Sequence, residues 1–127
     1  MRRNRLILAL SACAAALPAG AGPRAVSESL VDCAALVTIP VRAQPAHAAA
    51  RPGAGVPAVA QSFLRGAVAS AAAEGHAAPS DHIAALFERK AALWDGYGMG
   101  FTVTEDFRAW MVFCRGLADR QGIDPGR

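Results

Sequence analysis

Apolar positions recur at helical spacing in four separate stretches of the chain. In residues 27–37, Leu30, Cys33, Ala34 and Val37 fall on one face of a helix. From Pro57 to about Glu74, the same spacing links Val59, Phe63, Ala67 and Ala71. A third run carries Ile83, Phe87, Ala91 and Trp94, flanked by Leu86 and Leu93. The last, FRAWMVFCRGLADR at 107–120, aligns Phe107, Trp110, Met111, Cys114, Leu117 and Ala118. The pattern predicts an all-α fold: a small bundle of about four short helices.

The polar positions punctuate these runs. Ser27 or Ser29 is a candidate cap for the first helix, and Ser29-x-x-Asp32 has capping-box spacing with Asp in place of the usual Glu. Pro40 is expected to stop that helix, and β-branched Val37-Thr38-Ile39 allows a short extended end. Residues 40–57 hold four prolines and two glycines and read as a loop within one domain. Pro57 suits a first turn, and Gly75 ends the second helix. Ser80 or Asp81 is expected to cap the third. The sequence Asp95-Gly96-Tyr97-Gly98-Met99-Gly100 then reads as a glycine-rich connection. Thr102 or Thr104 caps the fourth helix, with Glu105 and Asp106 at its positive end and Arg115 and Arg120 near its negative end. Gly122 closes it.

The N-terminus departs from this pattern. Arg2, Arg3 and Arg5 precede an apolar run of twelve residues from Leu6 to Leu17, followed by Pro18 and the small-residue sequence Ala19-Gly20-Ala21. That is the form of a signal peptide, expected to be cleaved near Ala21 and leaving 22–127 as a single helical domain. The run spans about 18 Å as a helix, against roughly 30 Å for a bilayer core, so no transmembrane segment is expected after cleavage. A competing reading is Leu10-Ser11-Ala12-Cys13 as a lipobox, which would make Cys13 a lipid anchor. It would end the apolar run early and leave the cleavage sequence unused.

Cleavage changes the charge. The full chain carries 13 basic and 10 acidic residues. Losing Arg2, Arg3 and Arg5 leaves the two signs equal, which removes the basic patch that nucleic-acid binding requires. Abundant alanine, and arginine far in excess of lysine, resemble GC-rich Gram-negative proteins, which makes the periplasm the expected compartment. Disulfides persist there. Cys33 and Cys114 lie on the inner faces of the first and last expected helices, so a disulfide joining those helices is predicted. The chain-entropy model assigns such a closure roughly 4–5 kcal/mol.

Other cysteine chemistry fits poorly. No C-x-x-C or C-x-x-C-H pattern is present, so redox and haem readings lack their signature. His47, His76 and His82 sit in or beside loops, without helix-face metal spacing. Asp32 is expected on the solvated side of its helix. No catalytic, cofactor-binding or metal-ligating set emerges. Trp94 and Trp110 read as core anchors, and Tyr97, Met99 and Phe101 as candidate partner contacts on the glycine-rich connection. The function expected is a non-enzymatic periplasmic module that binds another envelope protein or has a structural role. The alternatives are a ligand carrier or enzyme with a pocket between helices, using groups such as Asp32, His82 or Tyr97, and the lipid-anchored form.

Overall fold

The computed structural model describes residues 24–44 and 57–124. The expected signal peptide, Cys13, His47 and most of the Pro-rich segment lie outside the described residues. Within them the chain is helical, with no strand. Helix α1 spans Val26–Val37, α2 Ile39–Ala43, α3 Ala58–Ala73, α4 Pro79–Asp95 and α5 Glu105–Gln121, with a 3-10 turn at Met99–Val103 before α5.

Five helices replace the expected four because Pro40 starts a helix as well as ending one. The Thr38 hydroxyl donates back to the carbonyls of Ala34 and Ala35 at 2.8 and 3.1 Å, offering the backbone an alternative to continuing α1. Pro40 then occupies the first turn of α2, where its missing N–H costs nothing. Arg42 of α2 reaches Asp95 at the end of α4, 2.9 Å away.

Helix α1 is the centre of the molecule, packed by α3, α4 and α5. It is buried nearly all round, from Ser29 through Leu36, rather than along the single predicted face. A helix surrounded by neighbours must be apolar or small on every side, and Leu30, Val31, Cys33, Ala34, Ala35 and Leu36 meet that demand. Helix α3 approaches closely because its inner face is Ala60, Ala67 and Ala71 around one large residue, Phe63. Burying each large aliphatic or aromatic side chain here contributes roughly 1.5–3 kcal/mol.

The caps at the N-termini differ from expectation. Ala25 and Ala78 precede α1 and α4, and neither helix has a side-chain cap. Ser27 instead gives both its backbone N–H and its hydroxyl to Glu74, at 3.1 and 2.5 Å. That bond ties the start of α1 to the end of α3. Thr104, not Thr102, caps α5 by accepting from the Phe107 N–H.

Cys33 of α1 and Cys114 of α5 form a disulfide across 81 positions, their Cα atoms 5.6 Å apart. Beyond it, Gly122 adopts a left-handed conformation at φ 63° and turns the chain back. Ile123 then packs over Gly66 of α3, where an added Cβ would sit 2.7 Å from Ile123 Cδ1.

Candidate functional site

The chemistry-bearing residues gather where α1, α4 and α5 meet. Asp32 lies on α1 between two neighbours, so its expected solvent-facing side does not exist. It is 1% exposed. Its carboxylate accepts from Trp94 Nε1 at 3.0 Å, Lys90 Nζ at 3.2 Å and Arg24 Nη1 at 2.9 Å. Lys90 also bonds Glu28 at 2.8 Å. Two cations and two carboxylates therefore close a neutral cluster. The hydrogen bond from Lys90 holds the Glu28 carboxyl below its ordinary value of 4.5, against a smaller opposing push from burial. No buried polar side-chain atom among the described residues lacks a partner.

Trp94 carries this cluster outward into an aromatic chain. Its ring meets Trp110 edge-on at 5.2 Å, stacks on Phe101 at 5.6 Å and leans on Tyr97 at 5.5 Å. Phe107 meets Phe101 edge-on, and Phe113 meets Trp110 likewise. Such pairs add about 0.5–1.5 kcal/mol each beyond the area they bury. Trp94 is thus a core anchor, as expected, and Trp110 is half-buried beside it.

The glycine-rich connection is an ordered turn. Gly98 takes φ 72°, a value that a side chain disfavours, and lets the 3-10 turn begin. The three candidate contacts divide. Tyr97 is 61% exposed and Met99 41%. Phe101 is half-buried and packs against the core, so it braces the turn from beneath. Val103 is also exposed, and nothing in its local sequence had marked it.

An open groove of about 380 Å³ runs between the start of α1 and α5, lined by Arg24, Ser29, Ala109, Trp110 and Phe113. The polar groups expected in a pocket do not collect there. Asp32 faces Trp94, Tyr97 lies on the turn, and His82 is elsewhere. His82 stacks on His76 with ring centres 3.7 Å apart, since the α3–α4 connection folds the two together despite their six-residue separation. This pair was invisible to helix-face reasoning because the residues lie on either side of a bend. Both sit near Glu74, whose carboxyl is held below 4.5 chiefly by the Ser27 hydroxyl, with both histidines adding to the effect.

Among the described residues no group of three or more His, Cys, Asp or Glu side chains is placed to hold a metal ion. No described helix is long and apolar enough to cross a membrane. Both described cysteines are spent in the disulfide. No family model matches the chain, and neither a curated protein nor a solved structure matches it. Function therefore rests on the geometry alone.

Proposed function

We propose that this chain is an exported, non-enzymatic module that binds an envelope protein through the turn at 97–103. The observation that carries this reading is the exposed trio Tyr97, Met99 and Val103 on a turn packed from beneath by Phe101 and Trp94. Tyrosine and methionine are enriched at interfaces, and a braced turn loses little entropy on binding. The leader-like N-terminus and the disulfide support an oxidising compartment, taken here as the periplasm after cleavage near Ala21. The lipid-anchored form through Cys13 is the variant of this reading that mass spectrometry of the mature N-terminus would separate.

The test is site-specific photo-crosslinking in the native compartment. A photoreactive residue at Tyr97, Met99 or Val103 should give a discrete adduct that the same probe at Arg65 or Ala84 does not give. Adducts of equal yield from all five positions, or from none, would overturn the reading. A second reading, a small-ligand carrier, has the groove beside Arg24 in its favour. It predicts saturable quenching of Trp110 fluorescence by long-chain carboxylates.

A further inference from the structure

Helix α5 is apolar on two sides. Its inner side, with Phe107, Trp110, Met111, Cys114, Leu117 and Ala118, packs on the body. At 3.6 residues per turn, Ala109, Val112, Phe113 and Gly116 fall within about 100° of arc on the outer side. Val112 is 69% exposed and Phe113 41%. An exposed apolar strip opposite the core-facing side serves no purpose in the folding of this chain alone.

The strip is also self-complementary. Glu105 closes one end and Arg120 the other, and the midpoint between them falls between Val112 and Phe113. A two-fold axis there lays two α5 helices antiparallel. It sets Glu105 on one copy level with Arg120 on the other and Ala109 opposite Gly116, while Val112 and Phe113, on opposite flanks of the strip, each meet their own counterpart beside the axis. The large residues flank the axis, and the small ones a turn away on either side leave room for them. An interface that pairs a patch with itself is what a two-fold dimer requires. The existing partners do not compete strongly. Glu105 pairs with Arg108 on the exposed surface of its own helix, and the Arg120 guanidinium rests over Gly116. Phe113 also lines the groove between α1 and α5, so the second copy's strip would cover its open side.

We propose that the outer face of α5 is a homodimer interface and that its occupant is a second copy of this chain. The test is sedimentation equilibrium of the mature, oxidised chain over a wide concentration range. The wild type should reach a dimer mass. Val112→Glu and Phe113→Glu should each remain monomeric, with unchanged helical circular dichroism because both positions are exposed. Glu105→Arg places like charges at both ends of the interface and should weaken the dimer at least tenfold. Adding Arg120→Glu to it should restore most of that loss, which no effect on a single chain would do. A wild type that stays monomeric throughout, including one that binds only a foreign partner here, would overturn the proposal. So would a dimer indifferent to these substitutions, or one that the double reversal fails to rescue.

Discussion

The indole nitrogen of Trp94 donates to the buried carboxylate of Asp32 at 3.0 Å, joining α4 to α1 at the point where α5 also packs. One end of this bond is a charge cluster and the other an aromatic chain leading to the surface turn. Removing the carboxylate leaves the buried indole N–H without its acceptor, while Lys90 keeps Glu28 and the half-exposed Arg24 turns to water. Asp32→Ala should cost about 3 kcal/mol, the lower end of the penalty for breaking a buried ionic pair from one side, because neither cation is left stranded. Trp94→Phe leaves the two cations on Asp32 and loses one hydrogen bond, so about 1–3 kcal/mol is expected. Urea denaturation of both variants checks the order, and equal losses would sink this account of the cluster.

The disulfide matters in proportion to what else holds α5. Besides the disulfide, that helix is held by α1, by the 3-10 turn and by the edge-on contact of Trp110 with Trp94 of α4. Replacing Cys33 and Cys114 together with alanine should destabilise the chain by about 4–5 kcal/mol. For a domain of this size that corresponds to roughly 20–35 °C in melting temperature. Both sulfur-bearing residues are buried, Cys33 at 0% and Cys114 at 3% exposure. Native protein should therefore resist mild reductant and yield two alkylatable thiols only when the reductant is combined with denaturant. Thermal melts and intact mass with and without denaturant read both outcomes. A melting shift under 5 °C would show that packing alone secures α5.

Stability should fall in acid, and Glu74 gives the reason. Its folded pKa is held down mainly by the hydrogen bond from the Ser27 hydroxyl. A depressed carboxyl contributes fully above its unfolded value and loses that contribution as pH falls through the folded value. Glu28 acts in the same direction through Lys90. The urea midpoint of the wild type should hold steady from neutral pH to about 5 and decline below the ordinary value of 4.5. Glu74→Gln should be less stable at neutral pH and decline less steeply, so the two curves converge in acid. Parallel curves would remove Glu74 from the explanation.

Spacing sufficed to find α3 and α4 because each presents one apolar face, and α5 because its inner positions recur at helical intervals; the cysteine pairing followed from helical positions of that kind. The sequence was less informative wherever a residue's environment comes from distant chain. Ser29-x-x-Asp32 has the form of a cap, yet it lies inside a helix that others surround, so its carboxylate serves Trp94 instead. The six-residue interval between His76 and His82 conceals a stacked pair because a bend, not a helix turn, brings them together. Pro40 marked a boundary correctly, but whether a proline ends or begins a helix depends on the Thr38 turn before it. The outer strip of α5 was hidden for another reason. A helix with apolar residues on both sides shows no contrast, and only burial separates the face that packs from the face that does not.

The turn at 97–103 separates recognition from support at the level of single side chains. Met99 is exposed, so Met99→Ala should change stability by no more than about 0.5 kcal/mol, whereas Tyr97→Ala also gives up ring contacts with Trp94 and Phe101 and should cost about 1 kcal/mol. Phe101 packs between the rings of Trp94, Tyr97 and Phe107. Its truncation should cost about 3–5 kcal/mol if the site cannot collapse, with the lower end favoured because the ring is only half-buried. The fluorescence of Trp94 should shift in Phe101→Ala and stay unchanged in Met99→Ala. Partner capture should then fail in Tyr97→Ala and Met99→Ala, with the Met99→Ala melting curve overlaying the wild type and that of Tyr97→Ala only modestly shifted. If capture instead tracked the stability loss of Phe101→Ala and ignored the two exposed residues, the turn would be scaffold throughout and the contact surface would lie elsewhere.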